Sequence, residues 1–229
     1  MRAYIKASIT LFFFIILTVT AHAATLWQQD TGGWNGTISC NGYVDRWLAD
    51  DFQLSNTSLI TDIEWIGGKN SGDPSDAEGF WIRIFSNYYD DDDPEDESDF
   101  VGYRPSDTPI IAQYYDADVV TRSTSPVSGQ YYTYSLSLTS SFLAESSTIY
   151  WLSIQGDTIN LVERWYGLYN TNTTNLNETV SWVNGTYFDE TYHDYAFNLY
   201  GQAVPIPPTA WLFLTSLIGV VGICRKIKN

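Results

Sequence analysis

Residues 80–85 read FWIRIF, and their alternation decides the fold class. Phe80, Ile82 and Ile84 fall on one side of an extended chain and Trp81, Arg83 and Phe85 on the other, the period of two that a strand imposes and a helix does not. YSLSL at 134–138 repeats the pattern, with Leu136 and Leu138 set between serines. Outward from these, segments rich in β-branched and aromatic residues recur at 47–54, 59–66, 110–115, 131–138, 148–154, 163–169 and 195–200, between clusters of Gly, Asn, Asp, Ser and Pro. No amphipathic helix of useful length lies among them. Short strands at this spacing predict an all-β domain, an antiparallel β-sandwich of jelly-roll-like form. A closed barrel is the alternative, because periodicity gives strands but not their partners.

Two apolar runs bracket that domain. Arg2 and Lys6 precede an apolar stretch over 9–19, and Ala21-His22-Ala23 supplies the small residues of a cleavage site, so 1–23 reads as a secretory signal peptide. Residues 24–203 form one domain of ordinary size. The remainder, 204–229, ends in a second apolar run, expected as a transmembrane helix over about 210–224. Of the two cysteines, Cys40 lies in the domain and Cys224 at the far end of that run, so no bond between them is expected.

Charge narrows the partners. Between residues 24 and 203 only six basic residues face all 27 acidic ones, a formal charge of −21. Such a surface repels phosphate backbones and argues against nucleic acid, while favouring divalent cations or neutral polymers such as polysaccharide. The densest acidic stretch holds Asp90, Asp91, Asp92, Asp93, Glu95 and Asp96. Calcium prefers carboxylate oxygens and is the ion these residues would hold, but the glycine of the D-x-[DN]-x-[DN]-G loop is missing, and a solvated acidic loop is the simpler reading. No other cofactor is indicated. Asp50 and Asp51, neighbours on an expected strand, must point to opposite faces, and a structural role is expected of them.

Catalytic residues are few. His22 leaves with the signal peptide, so His193 is the one histidine of the mature domain, and no G-x-S-x-G or H-E-x-x-H accompanies it. A non-enzymatic protein is expected. Glu64 in ITDIEW and Glu163 in LVERWYG are the carboxylate pair that a glycosidase would need, with about 5–5.5 Å between them for retention or about 6.5–9.5 Å for inversion. Aromatic residues make up 16% of the chain. Trp34, Trp65, Trp81, Trp151, Trp165 and Trp182, with Tyr88, Tyr89, Tyr114, Tyr115, Tyr131 and Tyr132, exceed what one small core needs, and flat rings beside carboxylates and amides suit sugar faces. Adjacent pairs such as Tyr88-Tyr89 must split between faces on a strand.

The tail carries a family resemblance. Val204-Pro205-Ile206-Pro207-Pro208, the apolar run with Gly219, and Arg225-Lys226 at its end resemble the PEP-CTERM sorting signal, in a VPxPP-type variant with Ile206 where the name-giving Glu usually stands. The resemblance implies recognition by exosortase, insertion of the precursor in the inner membrane of a Gram-negative bacterium with an exopolysaccharide system, and delivery to the cell surface or medium. The prolines hold the chain extended ahead of the span, and Arg225, Lys226 and Lys228 keep its end in the cytoplasm. ADDFQL, GFWIRIFSN, YWLSIQ and DYAFNLYG resemble recurring strands of secreted domains that carry this tail. The expectation is therefore an exported surface or matrix protein with a non-catalytic, glycan- or exopolysaccharide-associated module. A secreted polysaccharide hydrolase using Glu64 and Glu163 is the alternative.

Overall fold

The computed structural model describes residues 23–29, 35–38, 46–69, 79–91, 101–124, 131–157, 165–170, 180–183, 186–189 and 194–204. Among them run β1 (Ala24–Gln28), β2 (Asn35–Ile38), β3 (Arg46–Gln53), β4 (Ser58–Lys69), β5 (Gly79–Asp91), β6 (Val101–Pro105), β7 (Ile111–Asp116), β8 (Thr121–Thr124), β9 (Tyr132–Ala144), β10 (Ile149–Asp157), β11 (Trp165–Asn170), β12 (Val180–Val183), β13 (Thr186–Asp189), β14 (Asp194–Tyr195) and β15 (Phe197–Ala203). One 3-10 turn, Ala117–Val119, is the sole helical element among the described residues. None of these residues forms a helix long and apolar enough to cross a membrane. The expected signal peptide, but for Ala23, and the expected span over 210–224 lie outside the described residues.

Every strand pairing among the described residues is antiparallel. One sheet is built on β4, with β15 and then β1 on one edge and β9 and then β8 on the other; β11 extends it past the end of β15 and carries β2 and β14. The second sheet runs β13-β12-β3-β10-β5-β6, with β7 also on β5. The two share one hydrophobic core. Ile60, Ile63 and Trp65 of β4, Leu136 of β9 and Leu199 of β15 meet Phe52 of β3, Phe80, Ile82 and Ile84 of β5, and Leu152 of β10. Trp65 stacks on Tyr134 at 5.5 Å and meets Phe80 edge-on at 5.1 Å, the offset and T-shaped arrangements that aromatic quadrupoles favour.

The alternation in FWIRIF is realised, since Phe80, Ile82 and Ile84 all enter the shared core. Phe85, on the opposite face, is buried too, in a second cluster with Trp47, Ala49, Trp151 and Val180, and its ring stacks on Trp47 at 5.1 Å. The second sheet therefore has apolar side chains on both faces. Each of the eight expected segments contains a strand, with residues 163 and 164 of the segment 163–169 outside the described residues. The acidic stretch read above as a solvated loop begins within a strand. β5 continues through Asp91 and pairs with β6, with Tyr89 opposite Tyr103 and Tyr88 opposite Arg104, forming a two-stranded arm. Polar and tyrosine side chains on such an arm leave no burial pattern to read.

Asp50 and Asp51 separate between faces as expected, and both are fully buried. Asp50 points between the sheets, where its Oδ2 accepts the backbone N–H of Tyr195 on β14 at 2.6 Å and its Oδ1 that of Asp51 at 2.9 Å. Burial pushes its carboxyl well above the ordinary carboxylate range, the charges of Asp194 and then Asp51 push the same way, and the two N–H groups pull back.

A polar groove on the outer face of the β4 sheet

One break in alternation shapes a concavity on the outer face of this sheet. Ile60 and Ile63 are both fully buried although only two residues separate them, a spacing that simple alternation forbids. β4 resolves it with an irregularity between Ile60 and Asp62 that leaves Thr61 out of both ladders: β15 pairs Tyr200 with Asp62 and Gly201 with Ile60, while β9 pairs Ser137 with Asp62 and Phe142 with Ile60. A β-bulge of this kind re-aims side chains. Here it turns Asp62 and Glu64 to the outer face and leaves 138–141 of β9 unpaired with β4.

Register then lines up a polar row across five strands. Thr121 of β8 stands opposite Ser135 of β9, Ser135 opposite Glu64 of β4, Glu64 opposite Asn198 of β15, and Asn198 opposite Gln28 of β1. The adjacent row sets Ser137 opposite Asp62 and Asp62 opposite Tyr200. Over part of this face lies a groove of about 450 Å³, walled at one end by Tyr115, Val119 and Thr139. Tyr115 comes from the second sheet, and its hydroxyl accepts the Thr139 N–H at 3.1 Å, fixing the unpaired part of β9.

Both groove carboxylates are held by this chain's own donors. Glu64 Oε1 accepts from Asn198 Nδ2 at 3.0 Å and from the Tyr200 hydroxyl at 3.3 Å, and its Oε2 from the Ser135 hydroxyl at 3.3 Å. Asp62 Oδ2 accepts from the Thr61 hydroxyl at 2.6 Å, and its Oδ1 from that of Ser137. Burial, then the charge of Glu64 and the hydrogen bond to it, raise the Tyr200 phenol above its ordinary value, with Asn198 opposing, so Tyr200 remains a donor to Glu64.

A family model described as a domain of unknown function (DUF7901) matches residues 25–211. The chain belongs to the DUF7901 family. No curated protein matches it. The match in this DUF7901 chain covers the described domain from Thr25 onward and runs into the first residues of the tail.

The other expected site residues fare unevenly. Glu64 lies in the groove, whereas Glu163 and His193 lie outside the described residues, as do Asp92, Asp93, Glu95 and Asp96. Asp90 and Asp91 pair through their backbones with Gly102 and Val101 on the arm, and no group of three His, Cys, Asp or Glu side chains that could hold a metal ion occurs among the described residues. Val204 is described and exposed; Pro205, Ile206, Pro207, Pro208, Arg225 and Lys226 are outside the described residues. Of the aromatic set, Trp65, Trp151 and Tyr115 are buried, Trp81, Tyr114, Tyr131 and Tyr132 half-buried, and Tyr88 and Tyr89 exposed on the arm. Trp34 and the side chains of Trp165 and Trp182 lie outside the described residues; the aromatics that are described divide among core, sheet faces and arm, and the groove is lined mainly by hydroxyls and carboxylates. Sequence reasoning passed over Asp62, Ser135, Ser137, Asn198 and Tyr200. The available signals were the serines alternating with Leu136 and the odd spacing of Ile60 and Ile63.

Proposed function

We propose that this chain is an exported cell-surface or matrix protein whose domain, a sandwich of jelly-roll type, binds glycan without acting on it. The observation that carries the reading is the groove, an open concavity on a sheet face where hydroxyls and two carboxylates converge. Hydroxyl-rich ligands are bound by such convergent polar groups, fixed in advance by their neighbours. The engagement of both Glu64 oxygens by Asn198, Tyr200 and Ser135 favours recognition over proton transfer, because an acid or base must be free to reach the scissile bond. Export and exosortase sorting rest on the residues at the two ends of the chain, above all Pro205, Pro207, Pro208, Arg225 and Lys226.

The test is a glycan array, together with the host's own exopolysaccharide, probed with the full chain in detergent and with a Thr121→Trp variant. Thr121 is exposed at the groove, and its replacement adds bulk there while leaving both carboxylates in the sequence. Binding by wild type that falls about tenfold or more in the variant is expected, a loss of about 1.4 kcal/mol. Binding that survives the block would move the site elsewhere, and no binding to any glycan would overturn the reading.

A further inference from the structure

We infer that the groove selects glycans bearing free, protonated amino groups over neutral and acidic ones, an inference that rests on the glycan-binding reading above. The argument is one of hydrogen-bond polarity. A carboxylate only accepts, so each hydroxyl beside Asp62 or Glu64 must turn its proton toward it. Ser135 and Tyr200 give theirs to Glu64, and Ser137 gives its own to Asp62. At the groove end, Tyr115 gives its proton to Gln113 Oε1 at 2.6 Å. What these hydroxyls present to a ligand is lone pairs. Among the groove-lining side chains only Thr121 and Thr139 keep protons to give, and none of the lining residues is basic.

A ligand must therefore be rich in donors and is better for being positive. An ammonium group offers three donors and a charge to two carboxylates, in a domain whose formal charge is −21. A neutral sugar offers hydroxyl donors without the charge. A uronic acid polymer brings carboxylates against carboxylates and is rejected by repulsion and by unpaired acceptors. The acceptors form a lattice set by the sheet, about 4.8 Å apart across strands and about 6.7 Å along them. Amines and hydroxyls fixed on a rigid ring meet such a lattice with little loss of freedom, whereas lysine side chains of a cationic peptide lose rotamer entropy to do so.

The experiment titrates the full chain in detergent at pH 6 with four oligosaccharides of matched length, carrying glucosamine, N-acetylglucosamine, glucose or glucuronate, and with oligolysine. Expected is binding of the glucosamine oligomer at least about tenfold tighter than the glucose and acetylated ones, no measurable glucuronate binding, and a weakening of the glucosamine complex as salt rises. Glu64→Gln should lower glucosamine affinity several-fold and leave glucose affinity within about twofold. The salt series on wild type carries the same test should that variant fail to fold. Equal affinity for glucosamine and glucose, or a salt-independent complex, would overturn the selectivity and leave glycan binding standing. Tighter oligolysine binding would overturn it in favour of a cationic protein ligand. Binding of no oligosaccharide at all would overturn the glycan reading itself.

Discussion

Asp50 of β3 accepts the backbone N–H of Tyr195 on β14 at 2.6 Å, so a carboxyl of one sheet holds a strand of the other from inside the protein. Its folded-state affinity for a proton is raised, first by burial and then by Asp194 and Asp51. In the unfolded chain the group ionises at about 3.9, the ordinary aspartate value. The unfolded state thus loses its proton first as pH rises, and the stability that Asp50 contributes is full below that value and is lost as pH climbs through the raised one. In an Asp50→Asn variant this slope is absent. Melting curves of both proteins between pH 3.5 and 8 should show the wild type's advantage greatest in acid and declining to a plateau. A difference constant with pH would mean that Asp50 does not titrate as argued.

Gly201 sits where β15 crosses the bulge of β4. A Cβ there would lie 1.9 Å from the Leu59 carbonyl oxygen, and backbone cannot yield as the end of a side chain does. Gly201→Ala should destabilise by about 1–3 kcal/mol or more, as overpacking does. Because Tyr200 and Asp62 are placed by the same irregularity, glycan affinity should fall in the folded fraction as well. Urea denaturation and ligand titration read the two effects separately.

Two tryptophans contrast core with surface. Trp65 is buried between Phe80 and Tyr134, so Trp65→Ala should cost about 3–5 kcal/mol. Trp81 is half-buried on the outer face of β5, with the Arg83 guanidinium 5.3 Å from its ring centre. Trp81→Ala should cost less than half as much in the same chemical denaturation.

The tail makes its own prediction. Replacing Pro205, Pro207 and Pro208 by alanine leaves the apolar run and Arg225 and Lys226 unchanged, so insertion should persist while maturation stops. Wild-type protein should lose its tail and reach the surface or medium, and the variant should stay full-length in the inner membrane. Fractionation with blotting, repeated in an exosortase deletion, reads both. Wild-type protein that retains 225–229 in the inner membrane would make the tail a plain anchor.

Strands that bury one face were legible because burial writes alternation into the residues, as at Phe80, Ile82 and Ile84. β1, β2, β6, β8, β12 and β13 were not, since short strands such as TRST, exposed along its length, carry no such record. The groove was half legible. Ser135 and Ser137 must face away from Leu136, and Glu64 away from Trp65, by alternation alone. That Glu64 meets Ser135 on one side and Asn198 on the other is a matter of register between strands far apart in sequence, which no local pattern encodes.

β15 lies between β1 and β4, so the middle of that sheet joins the first described strand to the last. Until residue 197 has been synthesised, β1 lacks the strand it pairs with among the described residues, and β4 is open along the edge that β15 will fill. Pairing over so long a separation in sequence is slow, because the entropy of closing the loop must be met before any contact forms. If the chain is exported as proposed, this ordering acts as a timer for one sheet: β1 and β4 cannot be joined until β15, the last described strand, has crossed the membrane.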